Sequence, residues 1–228
     1  MLELVCAGRD VRLLSDETCL LRVEMADDLD VACDALVDAM QALKLRFWQR
    51  RLRVSLGNAW VSPMLIGPVT GLRSWREAVS LAEAQAQQAS PDEAAYRAVL
   101  EAWPGSSPAL ALATPLQFID KLQAAIRRAK FRVTSIRPWW ADAVPVDGES
   151  LGAQIFAARD GDGLAVLVAD SVQWRWASCY RPVPDAVAEQ ALLARLCVGH
   201  AVSLADVARV EWSSGALQPV APIVGGST

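Results

Sequence analysis

The sequence predicts an α/β fold in which a β-β-β-α-β unit is used twice, in mixed sheets flanked by helices. Three observations predict it. Residues 153–158, 164–169 and 173–178 are short apolar runs divided by turn chemistry, Asp160-Gly161-Asp162-Gly163 and then Asp170-Ser171. A helical stretch over 185–198 and a strand over 207–212 follow them. The first 57 residues repeat the order, with strands at 2–6, 11–14 and 18–25, a helix from 27, and a strand at 53–56.

Composition sets the bounds. With 228 residues, 53% hydrophobic and 21% charged, the chain is globular and large enough for a substantial core. Its net charge of -4 argues against nucleic acid as a partner. Arg9 and Asp10 interrupt any apolar leader, and no run is long enough to span a bilayer. The expectation is a cytoplasmic protein without direct membrane insertion. Cys6, Cys19, Cys33, Cys179 and Cys197 are odd in number and never spaced CxxC, so they read as reduced, buried thiols in a cytosolic protein. With the single histidine His200, they build no zinc site.

In the first helix, Leu29, Cys33, Leu36, Met40, Leu43 and Phe47 form one buried stripe. Five Asp lie in its first half, and Lys44, Arg46, Arg50 and Arg51 lie at or beyond its end, a polarity that suits the helix dipole on a solvated face. After the 53–56 strand, Gly57-Asn58 signals a turn, and 59–66 reads as an edge strand because it contains Pro63. Three [ST]-x-x-[EQ] boxes, at Ser74, Ser90 and Thr114, predict helices starting near Trp75, Pro91 and Pro115. A short strand over 109–113 precedes the last of these, and a strand over 132–136 follows it. Residues 141–151 carry Pro145, Asp147, Gly148 and Ser150 and read as a linker. The predicted organisation is a first half over 1–140, a linker over 141–152, a shorter second half over 153–214 and a tail over 215–228.

This element order, β-β-β-α-β-α-β-α and then the unit again, resembles a duplicated actin-like, ribonuclease-H-like fold. Two runs are similar to a narrower group. Residues 52–61 hold a strand followed by Asn58-Ala59-Trp60-Val61, an Asn-x-x-Val pattern, and residues 113–133 hold a helix ending in a strand. They resemble the cytoplasmic actin-like assembly proteins of type II secretion and type IV pili, the PilM family and the cytoplasmic domain of GspL. The likeness covers about 90 residues, and the chain is shorter than a full PilM-like protein, so the extra subdomain of such proteins is in doubt. The resemblance implies partners among inner-membrane or cytoplasmic secretion and pilus proteins, and leaves a homodimer open.

No catalytic constellation is legible. An actin-like ATPase needs Asp-x-Gly phosphate loops in both halves. In the first hairpin, Asp10 stands after Gly8, on the wrong side. Asp160-Gly161-Asp162-Gly163 has the right residue types but the setting of a hairpin turn. A two-metal nuclease would need converging carboxylates, and the first strand offers Glu3 alone. The expectation is a non-enzymatic scaffold with no cofactor, no metal and no catalytic residue. An ATP-binding member of the same fold, whose nucleotide state regulates assembly, is the alternative. Most of the nine tryptophans read as packing residues. Trp139 and Trp140 follow Pro138 at the linker's edge, so one ring is expected outside. With Arg137 they are the candidate partner-binding residues. The 59–66 edge strand is the other candidate surface.

Overall fold

The computed structural model describes residues 2–8, 10–16, 18–24, 28–46, 49–90, 94–144, 153–213 and 216–219. The first sheet is built from β1 (Leu2–Ala7), β2 (Asp10–Ser15), β3 (Thr18–Glu24) and β4 (Arg51–Leu56), with α1 (Leu29–Ala42) crossing between β3 and β4. An insertion follows: β5 (Ser62–Ile66), α2 (Trp75–Ala89), β6 (Tyr96–Leu100) and β7 (Ala109–Pro115). Then α3 (Leu116–Arg128) leads to β8 (Arg132–Pro138). The second half holds β9 (Gln154–Arg159), β10 (Leu164–Ala169), β11 (Trp174–Tyr180), α4 (Ala186–His200), β12 (Ala208–Ser213) and β13 (Ala216–Pro219).

The predicted duplication is present in the strand order. The first sheet runs β3-β2-β1-β4-β8 and the second runs β11-β10-β9-β12-β13. In each, an antiparallel three-strand meander is followed by a helical crossover to a strand parallel to the first. The fifth strands differ, since β8 runs parallel to β4 and β13 antiparallel to β12. Residues 216–219, expected in the tail, are therefore a sheet strand. Residues 145–152 of the expected linker, residues 215 and 220–228 of the expected tail, and Phe47 and Trp48 lie outside the described residues.

The main core lies between the first sheet and the paired helices α1 and α3. Leu36 and Met40 of α1 and Leu122 and Ile126 of α3 meet Leu4, Leu52 and Val54. Asp30 and Asp34 of α1 also pair with Lys121 and Arg128 of α3, each at 2.8 Å, so this charge run serves a helix–helix contact as well as the dipole. Asp28 caps α1 by accepting from the Asp30 amide at 2.8 Å.

The insertion is a three-stranded sheet ordered β5-β7-β6 with α2 on one face, and it corrects one expectation. The helix predicted from Pro91 is absent. Residues 91–93 lie outside the described residues, Ser90 caps the C-terminus of α2, and Tyr96–Leu100 is β6. Small side chains decide the packing, because Ala78 and Ala82 of α2 lie close on Ala98, Ala109 and Ala111. The Ser74 box does cap α2, with its hydroxyl accepting from the Glu77 amide at 3.2 Å. Thr114 does not cap α3, whose N-cap is Pro115 with no side-chain bond.

Candidate functional site at the junction of the two halves

The two halves meet through their hairpins, where buried polar residues sit beside an apolar cluster that joins Leu110, Trp139 and Trp140 to Phe156, Ala158, Ala165 and Leu167. Asn58 and Asp160 are 0% and 3% exposed. Asn58 sits in the turn after β4. Its backbone amide donates to Asp160 Oδ2 at 2.6 Å, and its side-chain Nδ2 donates to the carbonyls of Ala158 and Gly163 at 2.9 and 3.0 Å. Its Oδ1 accepts from the Trp140 indole at 3.0 Å. Every polar atom of the side chain is used, and the partners fix which end is oxygen.

Asp160 is equally engaged. Its Oδ2 also accepts from the Trp139 indole at 3.0 Å, and its Oδ1 accepts from the amides of Asp162 and Gly163 at 3.0 and 2.9 Å. The turn between β9 and β10 is thus folded around its own first carboxylate. Gly8, in the hairpin between β1 and β2, faces this turn. Its φ is +52°, and a Cβ there would lie 2.1 Å from Asp162 Oδ2. The Asp162 carboxylate fills the space between the hairpins. Burial, and then the neighbouring Asp160, push its pKa above the ordinary 3.8. Gly163 is needed for the same close approach, since a Cβ on it would come within 2.9 Å of Asn58 Cβ.

The candidate partner-binding residues are placed differently from expectation. Trp139 and Trp140 are 5% and 2% exposed, so neither ring is outside. Both pack on the second sheet, Trp139 edge-on to Trp212 at 5.6 Å and Trp140 against Phe156 at 6.1 Å. The residues they bind are this chain's own second half. The alternation argument failed because Trp140 leaves the strand: β8 ends at Pro138, and a turn leads into the 3₁₀ segment Ala141–Ala143. Arg137 forms a two-point ion pair with Asp142, whose carboxylate Arg53 also reaches at 3.3 Å. Trp60, from the Asn-x-x-Val run, stacks on Phe118 and donates to the Gly8 carbonyl at 3.1 Å. Sequence reasoning read Asn58 as a turn signal and as the first residue of the Asn-x-x-Val pattern, and missed it as the hub. Its immediate context, a lone Asn between a strand and a tryptophan, was the available clue.

Two shallow apolar pockets, of 160 and 210 Å³, adjoin between β6, β7 and β8 and share Val99, Leu112 and Pro138. Arg137 lines the first and Trp140 the second. As expected, β5 is an edge strand. Among the described residues, no group of three or more His, Cys, Asp or Glu is placed to hold a metal ion. Glu3 accepts from the Ser55 hydroxyl. All five thiols are free, and burial holds for Cys6, Cys33 and Cys197 but not for Cys19, which is exposed on the edge strand β3, with Cys179 half-buried. Burial, then Cys33, pushes Cys6 up to about 12, which keeps it protonated and unreactive. No helix of the described residues is long and apolar enough to cross a membrane.

No protein-family model and no curated protein sequence matches the chain. Solved structures do. One is a Bacteroides thetaiotaomicron protein with an actin-like ATPase fold and unknown function, at TM-score 0.59 and 7% identity over 93% of this chain and 81% of that one. Another is the PilM-PilN type IV pilus biogenesis complex, at TM-score 0.51 and 11% identity over 89% of this chain and 66% of that one. A third is the cytoplasmic domain of EpsL, an inner membrane component of the type II secretion system of Vibrio cholerae. There the TM-score is 0.49 and the identity 13%, over 79% of this chain and 70% of that one. The class is therefore defined: the chain has an α/β, actin-like ATPase fold with mixed sheets and four described helices. At identities this low the likeness establishes the fold alone.

Proposed function

We propose that the protein is a non-enzymatic scaffold or adaptor of a type II secretion or type IV pilus assembly, held at the inner membrane by a membrane-protein partner. One observation carries the non-enzymatic part. The Asp162 and Gly163 amides, which a glycine-bearing phosphate loop would turn toward a nucleotide, donate instead to Asp160, and Asp162 fills the gap to Gly8. The fold shared with PilM in the PilM-PilN complex supports the assembly class by analogy.

The docking place supported best is the apolar groove between β6 and β8. Both are edge strands, each paired on one side only. Val99 of β6 stands 63% exposed on its wall, with Leu112, Pro138 and Trp140 deeper. An extended cytoplasmic segment of a membrane protein would add to an edge and seat apolar side chains there. Arg137 and Trp140 keep a role as rim and floor, while Trp139 serves the junction.

Two measurements test the reading. Calorimetry with Mg-ATP should show no saturable binding, and micromolar affinity would establish the ATP-binding alternative. Short cytoplasmic segments of inner-membrane proteins encoded beside this chain should include one that binds it. Val99→Glu should weaken that binding by about tenfold or more with circular dichroism unchanged. Unchanged binding would remove this groove from the interface.

A further inference from the structure

The small sheet carries a groove on each face. Leu112 and Thr114 line the one beside β8, and Ala113 between them lines the other, as strand alternation requires. This second groove, of 880 Å³, runs between the C-terminal half of α2 and the two edge strands β5 and β11. Its floor is apolar, with Met64 and Ala86, and Ala89 lies at its exposed rim. Among the described residues its lining includes Arg175 and Arg181 and no Asp or Glu, in a chain whose net charge is -4. The Arg181 guanidinium is pre-positioned: Nη2 donates to the Val61 carbonyl at 3.0 Å and to Ser62 Oγ at 2.9 Å. It makes no ion pair with a described residue, although Asp162 feels its charge from the hairpin side. Arg175 is steadied by Asp170 at 2.6 Å, from outside the lining. Trp176, 42% exposed, adds ring surface on the β11 side.

We infer that this groove docks an acidic, extended peptide segment of a partner protein. A carboxylate meets Arg181, and a neighbouring apolar side chain seats on the floor beside Trp176. Fixing the cation beforehand lowers the ordering cost of binding, and the Arg181 guanidinium repels basic segments. The groove lies on the opposite face of the small sheet from the β6–β8 site, so the inference stands without the membrane-docking reading.

The probe is a fluorescein-labelled octapeptide alternating Glu with Leu and Phe, titrated with the full chain. Its control carries Lys in place of Glu. The Glu peptide should bind saturably, about tenfold or more tighter than the Lys peptide, and weaken with added salt. Arg181→Gln should reduce the binding about tenfold. Ala89→Glu, on the exposed side of the last turn of α2, should do the same with circular dichroism unchanged, which covers the case in which Arg181→Gln loosens the fold. Val99→Glu, in the other groove, should leave it unaltered. Equal affinity for the two peptides, no saturable binding, or unchanged binding by Ala89→Glu would overturn the inference.

Discussion

Asn58 shows how one buried polar residue joins two halves of a chain. It contacts β9, the turn after it and the Trp140 indole, at sequence separations of 82 to 105 residues. Truncation would leave the buried Trp140 indole N–H without its acceptor and take one bond each from the Ala158 and Gly163 carbonyls, the latter still accepting from the Asp160 amide at 3.0 Å. A buried donor left without a partner costs more than the bond it made contributed. We therefore expect Asn58→Ala to lose about 3–5 kcal/mol in urea unfolding. A loss below about 0.5 kcal/mol, the scale of an ordinary surface substitution, would mean that the halves are held by their apolar contacts alone. Trp139→Phe should cost less, because Asp160 would keep three of its four donors.

Elements here follow local chemistry until tertiary packing overrules it. The Ser74 cap is local and was legible. Its hydroxyl meets the Glu77 amide, while the Glu77 carboxylate reaches the Arg73 amide at 2.7 Å. Ser74→Ala should cost about 1 kcal/mol, measured as a shift in the urea midpoint at constant slope. No shift would show that the α2 terminus is held by packing alone. The same sequence pattern at Ser90 has a different outcome. Residues 96–100 alternate, with Ala98 and Leu100 buried and Arg97 and Val99 exposed, and that period of two belongs to a strand. The alternation was present in the sequence but covered only five residues, and the capping pattern beside it outweighed it. Thr114-Pro115 failed as a cap because both residues belong to β7, where Tyr96 and Arg97 pair with them.

For the whole molecule, the contact between hairpins couples stability to pH. Asp162 is raised above its unfolded value by burial and by Asp160, so its neutral form suits the folded state. Its contribution is fully present below 3.8 and is lost as pH rises through the folded pKa. Asp170 acts oppositely. Hydrogen bonds from the Val172 and Gln173 amides, and then from Arg175, hold it below 3.8, so its contribution is lost as pH falls through that lowered value. Asp162→Asn keeps the shape and removes the charge. It should be more stable than the native chain at neutral pH, and the difference should vanish on acidification below 3.8. A constant difference across that range would mean that the hairpins tolerate the ionised carboxylate.

The sequence by itself determined the repeated unit, the start of α2, the edge position of β5 and the crossovers α1 and α4. Each is written in neighbours a few residues apart, through turn residues, capping side chains and hydrophobic period. The absence of a paired glycine-bearing phosphate motif was legible in the same way. Only the tertiary structure decided that β6 is a strand, that Trp139 and Trp140 face inward, and that Asp160 turns its carboxylate onto its own loop and onto Asn58. These depend on residues brought together from both halves. A tryptophan's exposure depends on what lies across from it, and here that is Phe156 and Trp212, which local pattern cannot reach.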